Sequence, residues 1–251
     1  MKYKPYSVSK LGTYNQCPYK FKLNYIDKIK VPFETNKALL KGSHIHKILE
    51  NNFDYGTSFK TSYVYNQNHM LETFEIVRKF ENSELGDLFK QLIPISNLEE
   101  NFAFNFDKEL TKYRGDNTHF RGSADLYYVK DNKGFIFDYK SGKDKSKEEF
   151  GYDQACMYAI YMFIRYPNID NVKAVFVFIE HNTTKSYIFT KDQLNAYLEY
   201  FKSKVNIIEN DNTFKKKPSA LCNWCSFKEF GHCTGEDDME FELDHKKLDW
   251  L

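Results

Sequence analysis

Asp125, in Gly122-Ser123-Ala124-Asp125, and Asp138, in Phe137-Asp138-Tyr139-Lys140, stand on either side of a segment that reads as a hairpin. On a strand over 134–140, Asp138 and Lys140 project from one face, because side chains alternate along a strand. The residue types of Asp131-Asn132-Lys133-Gly134 favour a tight turn, which folds Asp125 back beside Asp138. Two carboxylates and an ammonium then share one patch. Paired aspartates suit hard cations such as Mg²⁺ and Mn²⁺. Lys140 could orient or deprotonate a water, or stabilise charge on a phosphate. The plainer alternative is a surface ion pair, worth about 0–1 kcal/mol. Against it, Phe135, Ile136, Phe137 and Tyr139 are strongly apolar, so the strand should be central, where a charged pair calls for a reason.

Three further side chains could join this patch. His46, in Gly42-Ser43-His44-Ile45-His46, is two residues from His44, so on a helix the two rings diverge and should not share a metal. It reads as an ordinary half-buried histidine unless its helix packs over the Asp125–Lys140 hairpin, in which case it is a ligand. Gln154 and Tyr158 lie one helical turn apart and share a face. That face is either merely polar or sits beside the metal site, touching a substrate phosphate or base.

The five cysteines are Cys17, Cys156, Cys222, Cys225 and Cys233. An odd count, with three crowded near the C-terminus, suits a metal or cluster better than a disulfide framework. Zn²⁺ and iron–sulfur ligation both fit a C-x-x-C pair, with His232 a conceivable substitute zinc ligand. Cys156 falls in an apolar stretch and reads as core.

The elements that position these residues are legible as patterns. Ser7 to Tyr25 reads as a helix capped by Ser9, with Pro18 marking a break or a new first turn. Lys41-Gly42-Ser43 starts a second helix with Ile45, Ile48, Leu49 and Phe53 as its apolar stripe. From Glu100 the period becomes two, with Phe102, Phe104 and Phe106 alternating as a half-buried strand. Strands follow over 124–130 and 134–140, then a charged loop over 143–149, a helix over 152–165, a strand pair over 172–180 and 187–190, and a long helix over 191–210. The order is that of a mixed α/β core with appended helical parts.

Gly42-x-x-x-His46, Gly122-x-x-Asp125, Asp138-x-Lys140 and Gln154-x-x-x-Tyr158, in this order, resemble the RecB-like branch of the PD-(D/E)xK nucleases. The segment from Ser9 through Cys17-Pro18 to Phe21, with Cys222-x-x-Cys225 and Cys233, is similar to the split cluster segments of iron–sulfur nucleases. AddB-type nuclease domains and CRISPR-associated RecB-like exonucleases share that arrangement. The resemblance runs from Ser7 to Cys233. It implies a restriction-endonuclease-like α/β core, a mixed central sheet flanked by helices, with a helical N-terminal part and a C-terminal cluster-binding segment. The chain is expected to form a single nuclease domain: a helical part over 1–98, the core over 99–210, the cluster segment over 211–233 and an acidic tail over 234–251. The resemblance assigns His46, Asp125, Asp138 and the Tyr139 carbonyl as ligands of Mg²⁺ or Mn²⁺. It assigns Lys140 as the catalytic lysine, acting with Asp125 and Asp138. Gln154 and Tyr158 become the motif that positions DNA, and Cys17, Cys222, Cys225 and Cys233 the ligands of a 4Fe–4S cluster.

The implied activity is metal-dependent hydrolysis of phosphodiester bonds in single-stranded DNA or at duplex ends. The settings it suggests are phage-type recombination or replication, DNA repair and CRISPR adaptation. No G-x-x-x-x-G-K-[ST] phosphate loop occurs, so unwinding would need a helicase partner; a recombinase or CRISPR-adaptation protein are the other partners implied. A second function class is a non-catalytic nucleic-acid-binding or assembly protein with a metal-stapled fold. An RNA-directed nuclease is a third.

The 251 residues, 41% hydrophobic and 18% aromatic, are enough for a real core and exclude wholesale disorder. No apolar run suffices for a membrane span or a secretory signal, so a cytoplasmic protein is expected. The net charge of +1 first argues against a nucleic-acid partner. It conceals an uneven distribution: seven acids and two bases from Thr234 to Leu251 give −5, leaving +6 for the rest.

Overall fold

The structure is a computed structural model that describes residues 1–32, 37–53, 67–147 and 151–235. The acidic run over 236–251 and the end of the charged loop, 148–150, lie outside them. The chain divides into two compact units, one of residues 1–8 and 33–206, the other of residues 9–32 and 207–251.

The first unit is built on a five-stranded sheet in chain order: β1 Asn97–Phe104, β2 Phe120–Lys130, β3 Lys133–Lys140, β4 Asn171–Phe178 and β5 Thr183–Thr190. The pairings are antiparallel except β3 with β4, which run parallel, so the sheet is mixed and β3 is its middle strand. The β2–β3 turn contains only Asp131 and Asn132, at φ 50° and 56°, the left-handed pair that matches the twist of a hairpin. The parallel step from β3 to β4 requires a crossover, supplied by the helix Tyr152–Arg165.

In chain order the helices are α1 Val8–Gln16 and α2 Pro18–Phe21, which fall almost wholly in the second unit, then α3 Lys37–Glu50, α4 Gln67–Glu81, α5 Glu84–Leu92, the crossover α6 and α7 Leu194–Asn210. Within the first unit, helices cover both faces of the sheet. Ile45, Ile48 and Leu49 of α3, Phe80 of α4 and Phe89 of α5 form one buried cluster with Leu126, Phe137, Tyr139 and Val175 of the sheet. Between Phe137 and Tyr139, Asp138 points to the other face, where the Tyr158 hydroxyl of α6 lies 2.7 Å from its carboxylate. Phe102 stacks on Tyr161 of α6 with ring centroids 4.4 Å apart, and Phe120 packs on Phe201 of α7.

Some boundaries depart from the sequence expectation, for physical reasons. The first helix begins at Val8, so Ser9 is inside its first turn instead of capping it. Gly42 does not start α3 but sits within it: a Cβ there would stand 3.0 Å from Ser141 Oγ, so the glycine admits the chain leaving β3. In β1 the inside–outside alternation fails, because Phe102, Ala103 and Phe104 are all buried and Phe106 lies past the strand end. The break comes from Glu99, whose φ is +48°. Leu98 packs with the α3–α5 cluster, whereas Glu100, two residues on, bonds to Tyr161 of α6 on the opposite face.

The second unit contains α2, the π-helical turn Lys22–Ile26 that follows it, and the short helix α8 Ser226–Glu229. Cys17 is extended between α1 and α2, and Pro18 occupies the first position of α2, where its missing N–H costs nothing. Phe21 stacks parallel on Phe214, and the Tyr14 hydroxyl donates to Asp211 at 2.7 Å. Asp211 also accepts from the backbone N–H groups of Thr213 and Phe214, and these bonds outweigh its burial, holding its pKa down to about 2.

Candidate active site

β2 and β3 bring Asp125 and Asp138 side by side, at 7% and 4% exposure. The Tyr139 backbone N–H donates to Asp125 Oδ2 at 2.7 Å, so the hairpin itself fixes this carboxylate. Burial raises the Asp125 pKa and the Asp138 charge adds to that, while His46 opposes both.

Lys140 Nζ forms an ion pair with Asp138 Oδ2 at 2.6 Å and donates to Gln154 Oε1 at 3.0 Å. Gln154 Nε2 in turn donates to Asp138 Oδ1 at 2.8 Å and to the Tyr158 hydroxyl at 2.8 Å. The single Tyr158 proton has two acceptors in reach, Asp138 Oδ1 at 2.7 Å and the Ser123 carbonyl at 3.0 Å. Gln154 and Tyr158, one turn apart on α6, thus clamp the same carboxylate oxygen, and Tyr158 is only 3% exposed. Burial, then the charges of Asp138 and Asp125, push the Tyr158 pKa well up, so it stays a neutral donor.

His46 reaches this patch from α3. Its Nε2 is 3.2 Å from the Tyr139 carbonyl, and its Nδ1 is 3.5 Å from Asp125 Oδ1 and 3.6 Å from Glu99 Oε1. Burial works against an imidazolium here, but Asp125 and Glu99 outweigh it and lift the His46 pKa to about 10. His44 is buried elsewhere on α3, where burial lowers its pKa, so the two histidines do not converge.

Sequence reasoning missed Glu99. In the β1–β2 register it falls opposite Asp125, at the left-handed kink that breaks the strand alternation. Non-glycine residues adopt such a φ at a cost of about 1–3 kcal/mol, and such kinks concentrate at functional sites. Ligand atoms of His46, Glu99 and Asp125 all lie within 4.8 Å of one another. Glu99 Oε1 and Asp138 Oδ2 are buried without any hydrogen bond among the described residues. His46 Nδ1 faces the first at 3.6 Å and Lys140 Nζ the second at 2.6 Å, and three buried or half-buried carboxylates with one imidazole make an oxygen-rich donor set that fits a hard divalent cation. An open cleft of about 500 Å³, lined by Gly42, Ser43, His46, Lys47, Glu99 and Ser141 among others, leads to it.

A profile of the PD-(D/E)XK nuclease superfamily matches residues 5–230. The chain belongs to that superfamily. The mixed sheet flanked by helices is the restriction-endonuclease-like α/β core of a PD-(D/E)XK nuclease. Among solved structures the chain is similar to a "putative exonuclease" from Eubacterium rectale, at 14% identity and a TM-score of 0.49, covering 89% of this chain and 93% of that one. It is also similar to SSO0001, at 12% identity and a TM-score of 0.34, covering 74% of this chain and 83% of that one. No curated protein matches the chain. No described helix of this PD-(D/E)XK nuclease is long and apolar enough to cross a membrane.

Four of the five cysteines meet in the second unit. Cys17, Cys222, Cys225 and Cys233 line one cavity together with Lys20, Lys217 and Lys228. Backbone N–H groups of Ser219 and Gly235 point at the sulfurs of Cys222 and Cys233, each at 3.4 Å. No three of these sulfurs fall within 4.8 Å of one another. His232 is exposed and does not line the cavity. Cys156 is fully buried in α6, where burial pushes its thiol up to about 12.

Proposed function

We propose that the first unit is a divalent-cation-dependent DNA exonuclease of the RecB-like type, hydrolysing phosphodiester bonds of single strands or duplex ends. The observation that supports it most is the convergence of Asp125, Asp138, Lys140, His46 and Glu99 on one patch at the β2–β3 hairpin. His46, Asp125, Asp138 and the Tyr139 carbonyl would hold Mg²⁺ or Mn²⁺, and Glu99 joins them on geometry. Such a cation supplies polarisation of the scissile phosphate and acidification of a bound water.

The chain's own groups do the rest. Lys140 sets its ammonium beside Asp138, and the charge that develops on the phosphate would draw it, at fixed position, without reorganisation. Gln154 holds Lys140 and Asp138 in register by bonding both. Tyr158 keeps Asp138 Oδ1 occupied, so that Oδ2 is the oxygen that faces Lys140 and would be shared with the cation. In this reading Gln154 and Tyr158 position the carboxylate and the lysine before any contact with DNA.

In the second unit the proposed cofactor is a 4Fe–4S cluster on Cys17, Cys222, Cys225 and Cys233. Three lysines and two N–H···S contacts suit an anionic thiolate cluster. Anaerobic purification with iron and sulfide analysis, followed by digestion of end-labelled single- and double-stranded DNA with Mg²⁺ or Mn²⁺, tests both halves. Iron with sulfide and cation-dependent release of nucleotides from the ends are expected. A zinc-loaded protein that leaves both DNAs intact would overturn the proposal.

A further inference from the structure

A cavity of about 370 Å³ in the first unit is lined by Lys4, Pro5, Arg114, Gly115, Asp116, Thr118 and Arg121. Two chain segments are tied together to make it. The Tyr6 N–H donates to the His119 carbonyl at 2.8 Å, and the Arg121 N–H donates to the Tyr6 carbonyl at 2.9 Å. Tyr6 is fully buried, so the N-terminal segment is pinned along the start of β2 and Lys4 is delivered to the cavity, where it bonds the Asp116 carbonyl.

The β1–β2 loop that carries Arg114 is equally well fixed. Thr118 is fully buried, and its hydroxyl is 2.6 Å from the Lys112 carbonyl and 2.8 Å from Thr111. The Gly115 N–H closes a turn onto the Lys112 carbonyl at 2.8 Å. The Arg121 guanidinium lies over the Tyr113 ring at 5.1 Å, which restrains its plane. No carboxylate pairs with Arg114 or Arg121 among the described residues, although Asp116 shares the cavity wall. Two guanidinium forks and an ammonium around an open concavity, on a loop that is already ordered, are built for a phosphate.

We propose that this cavity is a phosphate-binding subsite for the backbone of the nucleic-acid strand whose scissile bond lies at Asp125 and Asp138. Arg121 precedes Asp125 by four residues on β2, which places their backbones about 13 Å apart. At one phosphate per about 3.4 Å of duplex axis on each strand, that is about four nucleotides from the cleaved bond. The subsite rests on the nuclease reading, and it predicts a footprint that extends beyond the catalytic cleft.

The test compares the full chain with Arg114→Ala/Arg121→Ala and with Arg114→Lys/Arg121→Lys, each confirmed folded by circular dichroism. Fluorescence anisotropy with a single-stranded oligonucleotide gives the affinity across a salt series, and bis(p-nitrophenyl) phosphate reports basal hydrolysis with Mn²⁺. The alanine pair should bind more weakly whatever the base sequence. Its salt slope should be about 0.7 smaller, the contribution of the one single-strand phosphate that the cavity no longer neutralises. It should hydrolyse the small diester at the parent rate, and the lysine pair should restore the slope. An unchanged slope in the alanine pair, or a lysine pair that fails to restore it, would overturn the subsite. A parent protein that cleaves neither substrate sinks the nuclease reading instead, while the salt slope still decides the cavity.

Discussion

In the proposed centre Asp138 would divide its two oxygens between holding the site and serving it. Oδ1 takes the Tyr158 and Gln154 hydrogen bonds, and Oδ2 is left facing Lys140. Glu99 adds a further carboxylate oxygen next to His46 and Asp125. Replacing Glu99 by Gln keeps the shape and removes the charge, so Mn²⁺ affinity should fall by about tenfold or more in a calorimetric titration; unchanged affinity would remove Glu99 from the site. His46 gives a pH signature. With its pKa lifted to about 10, the imidazolium stabilises the cation-free fold fully below its ordinary value near 6.5, and that stabilisation is lost as pH rises through 10. A cation needs the neutral ring, so its binding must expel a proton. Apparent affinity should therefore climb by about tenfold per pH unit through the neutral range, with proton release visible as a buffer-dependent binding enthalpy. Period-two spacing and a turn in the sequence bring Asp125, Asp138 and Lys140 together, and they do meet in the fold. Glu99 was hidden because a left-handed φ at one residue overturns that period.

At the scale of elements, the candidate active site depends on how α3 and α6 meet the sheet. Gly42 lets α3 approach Ser141, so His46 reaches the hairpin. Gly151, at φ +78°, starts α6 where a Cβ would stand 2.6 Å from the buried Phe176 ring. Gly151→Ala combines a disfavoured φ with a clash, and should destabilise the protein by about 1–3 kcal/mol. Urea denaturation measures this, and a variant as stable as the parent would show that α6 is not held there. The strands were readable from β-branched and aromatic runs, and the Asp131-Asn132 turn from residue type. Helix starts were harder to read: Gly42 looks like a boundary by propensity, yet tertiary packing carries the helix through it.

The two proposed chemistries fall in two different units of the chain. Ser9–Pro32 and the segment from Ile207 belong to one unit although most of the chain separates them. Only the cysteines signal that grouping in the sequence, because periodicity reports local structure and not which distant segments pack together. Cys17 is the one cysteine contributed by the N-terminal segment to the four-cysteine cavity. Cys17→Ser should remove most of the bound iron and make the second unit more susceptible to limited proteolysis, with the cleavage sites mapped by mass spectrometry. A variant that retains the parent's iron content and protease resistance would show that Cys17 is not a ligand.

The most direct test of the proposed catalytic centre is single-turnover cleavage of end-labelled single-stranded DNA by Lys140→Ala beside the parent protein, with DNA affinity measured in parallel. Loss of one preorganised charge at the phosphate should slow cleavage by about 100- to 1000-fold, with the fold retained and DNA still bound. Cleavage by Lys140→Ala at the parent rate would contradict the assignment of Asp125, Asp138 and Lys140 as the hydrolytic site.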